Sequence, residues 1–108
     1  MATNFSKKDM IKLQNLLRKS KKTITTAESC TGGLVASLIT KISGSSDIFN
    51  GSIVTYSNSI KNKELGVLNE SLDKFGAVSK QVVSEMLDGV LKKFEADFAI
   101  AISGVAGP

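Results

Sequence analysis

TITTAESCTGGLVASLITKI, residues 23–42, decides how the chain folds. TITTAE, 23–28, is short and β-branched and reads as a buried strand. GLVASLITKI, 33–42, follows a Gly pair and reads as an apolar helix, with Leu34, Leu38 and Ile42 on one stripe. The corner between them gathers Glu28, Ser29, Cys30, Thr31, Gly32 and Gly33. So dense a set of polar groups at a strand-to-helix turn is either a capped helix start or a site.

Working outward from this corner, helices and strands alternate. Residues 5–22 predict a helix with Met10, Ile11, Leu13, Leu16 and Leu17 near one face, and Ser6 with Asp9 resembles a capping box. GSSD, 44–47, is a turn cluster. IFNGSIVTYS, 48–57, reads as a second strand with a bulge at Gly51. Asn58 caps a short helix closed by Gly66. Residues 67–76 are irregular or hold a helical turn or two. Ser79 then caps a helix over 80–94 with Val82, Val83, Met86, Leu87, Val90 and Leu91 inward. DFAIAIS, 97–103, is a third strand, followed by the Gly-rich GVAGP. This order predicts an α/β layered fold with a mainly parallel sheet. One loop after the third strand brings the sequence to its last residue, so the expectation is a single domain, 1–108, cut short and with a strand edge unpaired.

Composition narrows the function classes. The formal charge is +4, but the excess sits in Lys7, Lys8, Lys12, Arg18, Lys19, Lys21 and Lys22 against Asp9. From residue 23 onward acids outnumber bases, so the charge belongs to one solvated helix face and gives nucleic-acid binding little support. Cys30 is the one cysteine, which forbids an internal disulfide and fits a reducing, cytoplasmic setting. The apolar runs fall short of a membrane span. There is no histidine, which removes Ser-His and Cys-His catalysis and His-rich metal sites from this sequence.

Ligands of open α/β sheets bind outside the carboxyl ends of the strands. Three polar corners fall there: residues 28–33, residues 55–58, and SGVAG at 103–107. The first suits an anion, with Gly32 and Gly33 permitting close approach and Ser29 and Thr31 adding hydroxyls. Equally, Thr31 is a helix cap and the glycines are packing devices. Lys61, five residues after Tyr56, is the obvious candidate base for a serine when histidine is missing. To serve near neutrality it must lose its proton, and each unit of pKa depression needs about 1.4 kcal/mol of burial or charge repulsion. By residue type alone, Ser45 and Ser46 read as turn chemistry and Cys30 as a small buried thiol, with a Cys-Lys-Glu arrangement also open.

TAESCTGG, GSS, VTYSN with Lys61 behind it, AVS and ISGVAGP, in this order from about Leu13 to Pro108, resemble the CinA C-terminal domain family. Its stand-alone members are nicotinamide mononucleotide amidohydrolases. The resemblance implies a three-layer α/β/α sandwich with a mixed sheet. It implies hydrolysis of the nucleotide's carboxamide to nicotinic acid mononucleotide and ammonia, by a serine-lysine chemistry with no metal and no cofactor. Carried across, Ser46 with Lys61 forms the dyad, Ser29 is the alternative nucleophile or an oxyanion or phosphate donor, and Tyr56 positions Lys61 or relays a proton. Glu28, Cys30, Thr31, Gly32, Gly33, Ser103 and Gly104 fall to substrate binding. The family continues past AGP through a Lys-Pro-Val-Gly stretch, further strands and a final helix carrying a basic residue for substrate. Three expectations follow: a domain truncated after the AGP turn, weak activity or none, and a homo-oligomer or separate chain as source of the missing segment. The competing reading is a non-catalytic nucleotide-binding or interaction module.

Overall fold

The computed structural model describes residues 5–105. Its elements run α1 (Lys7–Ser20), β1 (Ile24–Glu28), α2 (Leu34–Thr40), a 3-10 turn (Ser45–Asp47), β2 (Ile53–Val54), α3 (Asn58–Leu65), α4 (Asn69–Phe75), α5 (Lys80–Phe94) and β3 (Phe98–Ile102). Among the described residues the strands are all parallel, in the order β2-β1-β3, with β1 central. The α/β class and the alternation of elements are as the sequence predicts. The end of the GVAGP turn, 106–108, lies outside the described residues.

The layers follow from the pleat, which sends successive side chains of a strand to opposite faces. Ile24 joins Leu17, Ile39 and Ile48 in a small core on the side of α1 and α2. Ala27 joins Leu65, Val67, Val82, Met86 and Val90 in a larger core on the side of α3, α4 and α5. β1 is buried along its whole length because both faces are covered. Ser29 follows two residues after Ala27 and so continues toward the α3 side.

Local chemistry sets the boundaries. Ser6 and Ser79 accept from the backbone N–H groups of Asp9 and Val82, as serine caps do. Ser57, not Asn58, caps α3 by accepting from Ile60, and Gly66 closes it at φ 72°. Residues 69–75 form a true helix, more ordered than the sequence suggests. The second strand is much shorter than expected. Ile48 still bonds β1 through its carbonyl, but Thr25 Oγ1 donates to the Gly51 carbonyl and interrupts the ladder. Phe94 packs so closely on Gly51 that a Cβ there would stand 2.9 Å from its ring.

Two apolar stripes sit differently from expectation. In α2 the inward residues are Val35 and Ile39, Ile42 is buried just past the helix, and Leu34 is exposed. In α1 only Leu17 is buried and Met10 partly so, whereas Ile11, Leu13 and Leu16 are exposed and Gln14 takes a core position. Gln14 can do so because its Nε2 donates to the Ile39 carbonyl at 3.0 Å. The helix α5 is as predicted, with Val82, Met86 and Val90 fully buried. It touches α3 at Gly89, where a Cβ would overlap the Leu65 carbonyl. That close crossing seats α3 against the sheet.

Candidate functional site

Three strand ends meet at Ser29. Its N–H donates to the Ile102 carbonyl of β3 at 3.0 Å, and the Glu28 carbonyl just before it accepts from Thr55, after β2, at 2.7 Å. Gly104 packs on the neighbouring Cys30, leaving room for a Cβ only 3.2 Å from Sγ. The convergence of the three corners thus rests on backbone hydrogen bonds between parallel strands.

Lys61 enters this junction from α3. It shares a buried face with Leu65, one turn on, and only 1 % of it is exposed. Its aliphatic stem runs through the core, and Nζ emerges 3.1 Å from Ser29 Oγ and 3.2 Å from the Tyr56 carbonyl. Burial pushes the Lys61 pKa down from 10.5, opposed in part by Cys30.

Glu28 lies on the opposite face of β1 and is fully buried. Its carboxylate accepts from Thr26 Oγ1 at 2.9 Å, Thr31 Oγ1 at 2.8 Å, Val35 N–H at 2.8 Å and Ala36 N–H at 2.9 Å. Burial pulls its pKa up, but these four bonds outweigh it and hold the carboxyl below 4.5. Glu28 therefore caps α2 from the preceding strand, a job that Gly33 at the N-cap, at φ 103°, has no side chain to do. This corrects one expectation: Thr31 is bound to Glu28 rather than capping the helix, whose N-cap is Gly33. The α2 amides that an anion would use are already taken by a negative group.

Ser46 does not join Lys61. It is exposed in the 3-10 turn, whose exit residue Ile48 bonds Ile24 at the start of β1. Ser29 lies past the other end of that strand, about 16 Å along it at ~3.3 Å per residue. The lysine-serine pair in the structure is Lys61 with Ser29. Tyr56 contributes its carbonyl, while 68 % of the residue is exposed, so the phenol makes no described bond to Nζ. Ser103 Oγ donates to the Ala77 carbonyl at 2.8 Å and ties β3 to the loop before α5. Gly32, at φ 64°, needs the left-handed backbone that glycine adopts without cost. Two further residues take part to which the sequence reading gave no role. Thr26 shares the Glu28 face, as an i, i+2 pair on a strand must. Thr55 is fully buried with a hydroxyl that has no partner among the described residues.

The wider surroundings are plain. Among the described residues, no group of His, Cys, Asp and Glu could hold a metal, and no helix is long and apolar enough to cross a membrane. The open groove lined by Leu68, Glu85 and Gly89 between α3 and α5 shares no residue with the Ser29–Lys61 cluster.

Comparison with known proteins sets this geometry in context. Residues 7–108 match the CinA C-terminal domain. A CinA-like protein of Prochlorococcus marinus strain MIT 9312 is 60% identical over 92 residues, which is 85% of this chain and 22% of that protein. One from Thermotoga neapolitana is 53% identical over 93 residues, covering 86% and 23% respectively. The chain thus spans under a quarter of these curated relatives. Among solved structures, the competence damage-inducible protein A of Klebsiella pneumoniae superposes with a TM-score of 0.89 at 37% identity, over 92% of this chain and 62% of that one. An Agrobacterium tumefaciens competence/damage inducible protein gives 0.84 at 40%, over 100% and 67%.

Proposed function

Since this chain belongs to the CinA C-terminal domain family, we propose that it carries an amidohydrolase centre in which Lys61 activates Ser29, with nicotinamide mononucleotide as substrate. One observation supports the reading above the rest: a buried, pKa-depressed amine sits 3.1 Å from a buried hydroxyl at the carboxyl ends of the strands. The choice of substrate rests on the motif resemblance.

In this reading the neutral Lys61 Nζ takes the proton from Ser29 Oγ as the oxygen attacks the carboxamide carbon. The Tyr56 carbonyl accepts one Nζ hydrogen and aims the lone pair at the hydroxyl. The tetrahedral oxyanion collapses, Lys61 returns the proton to the departing nitrogen, and ammonia leaves an ester on Ser29. Water then attacks the ester, again giving its proton to Lys61. Nicotinic acid mononucleotide departs, and Ser29 regains its hydrogen. Cys30 and Gly104 line the same junction and would bound the space for the amide.

The test is ammonia release from nicotinamide mononucleotide by the purified chain. Turnover in the wild type, weak as it is expected to be, that falls by about 10²-fold or more in Ser29→Ala is the expected result. Binding of the nucleotide without turnover, with affinity unaltered in Ser29→Ala, would instead mark a binding module.

A further inference from the structure

Three hydroxyls stand in a row across the carboxyl ends of the strands. Glu28 pairs in register with Val54 on one side and Ile102 on the other, so one residue further Ser29 falls between Thr55 and Ser103. The pleat turns all three toward the face of Ala27 and Ile53, which α3 and α5 cover. Val54 goes the other way and lies beside Gly33.

Two of the three hydroxyls have partners. Ser103 Oγ donates to the Ala77 carbonyl, and Ser29 Oγ meets Lys61 Nζ. Thr55 is fully buried, and its Oγ1 has no hydrogen-bond partner among the described residues. An enclosed hydroxyl left unpaired is destabilising, and valine would fill the same space without that penalty. The oxygen is shut in, so whatever satisfies it comes from within the cluster and not from an open edge. Thr55 adjoins Tyr56, whose carbonyl accepts from Lys61 Nζ at 3.2 Å, and its N–H bonds the Glu28 carbonyl next to Ser29 at 2.7 Å. The hydroxyl is thus flanked along the chain by one partner of the amine and across the sheet by the other.

A neutral lysine amine offers two hydrogens and a lone pair, whereas the ammonium offers three hydrogens and no acceptor. We propose that Thr55 is a positioning residue of the Ser29–Lys61 pair, its hydroxyl oxygen accepting from Nζ when the amine is protonated. The bond is made as Nζ takes the Ser29 proton and is released as that proton passes to the departing nitrogen. Its part in turnover rests on the amidohydrolase reading. The contact does not, because Lys61 titrates whether or not an amide is cleaved. Of the charged groups on the elements packed around α3, Glu85 is held by Leu68, Ser71 and Gln81, and Lys93 pairs with Glu64 at the surface. Glu28 lies on the opposite face of β1, and Cys30 is the group that acts on Nζ.

The experiment is an NMR titration of the Lys61 side chain in the full chain, with the signal assigned by its loss in Lys61→Met. In Thr55→Val the midpoint should fall by about one pH unit, as loss of one hydrogen bond to a charged group requires. Thr55→Ser keeps the hydroxyl and should titrate with the wild type. Thr55→Ala, with a smaller side chain, should move in the same direction as valine, and urea unfolding should find Thr55→Val at least as stable as the wild type. In the ammonia assay the free-base limb of Thr55→Val should move down by the same amount and its plateau fall by up to about tenfold, since a weaker base is ready at lower pH. Wild-type midpoints in both Thr55→Val and Thr55→Ala overturn the proposal. So does a Thr55→Ser midpoint that falls with theirs. A midpoint that falls in a chain releasing no ammonia upholds the contact and overturns the amidohydrolase reading alone.

Discussion

The turns at 28–33 and 44–47 are made of similar parts and end in opposite environments. Each holds a glycine in the left-handed region, Gly33 at φ 103° and Gly44 at φ 83°. Each holds a serine beside a carboxylate and a basic residue brought from elsewhere. At the first turn Glu28, Ser29 and Lys61 are all buried. At the second, Asp47 pairs with Arg18 at 3.0 Å on the surface, and Ser46 faces solvent. Water screens the second set, so its ion pair is worth about 0–1 kcal/mol. Exclusion of water makes the first set interdependent: carboxylate, amides, hydroxyl and amine each need their partner. Residue type alone does not separate these turns. Position relative to the sheet does.

The sharpest way to break that contrast is Lys61→Met. Methionine keeps the length of the stem and removes the amine. Turnover should fall by about 10²–10⁴-fold in the ammonia assay. Thermal stability should hold or rise, because no ammonium remains to be desolvated. A variant that keeps its turnover would mean that burial of Lys61 is structural. The wild-type pH profile sharpens the same point. The folded pKa lies below 10.5, so the free base, and kcat/KM with it, should grow with pH below that value. The sign for stability agrees. An amine depressed by folding costs stability at neutral pH, and the cost is relieved as pH rises from its folded pKa toward 10.5.

A smaller effect is expected at Glu28→Gln, and it falls on stability. Glutamine offers one acceptor oxygen and a donating amide NH2 to four donors, and the Val35 and Ala36 N–H groups use different oxygens, so it must leave a backbone donor unmet. About 2–3 kcal/mol should be lost in urea unfolding. The wild-type contribution of Glu28 is present above its ordinary value of 4.5 and is lost as pH falls through its lower folded pKa. Glu28→Gln should flatten that acid limb. An unchanged limb would show that the four bonds do not carry the α2 start.

Much of this arrangement was legible because local rules decided it. β-branched Thr25 and Thr26 beside Ile24, the serine caps at Ser6 and Ser79, and the 3.6-residue spacing of Val82, Met86 and Val90 all act over a few residues. The resemblance carried by TAESCTGG and VTYSN put Ser29, Tyr56 and Lys61 on a short list. What stayed hidden depended on distance. The reach of the Glu28 carboxylate to Val35 and Ala36 crosses a turn whose geometry Gly32 and Gly33 set. The stripe of α1 shifted because Gln14 found the Ile39 carbonyl, a pairing no spacing rule contains. β2 shrank because Thr25 spends its hydroxyl on Gly51. The choice between Ser29 and Ser46 required knowing which end of β1 each occupies, although alternation from Ala27 to Ser29 already pointed toward the face that α3 covers.

Ser46→Ala is the smallest change and the most demanding check on the contrast. An exposed hydroxyl in a 3-10 turn has water as its alternative partner, so stability should move by less than about 0.5 kcal/mol. Ammonia release should stay within about twofold of wild type, since a chemical role would leave a loss nearer the 10²-fold expected at Ser29. Asp47→Asn serves as the local control: it removes the Arg18 pair while leaving Ser46, and should cost at most about 1 kcal/mol, less at high salt. A tenfold loss of turnover in Ser46→Ala with an unchanged Asp47→Asn would mean that the turn reaches the substrate by a movement of the 44–47 segment. The dyad would then have to be redrawn around two serines. Equal, negligible effects in both variants would leave burial as the property that separates a reactive serine from an ordinary one.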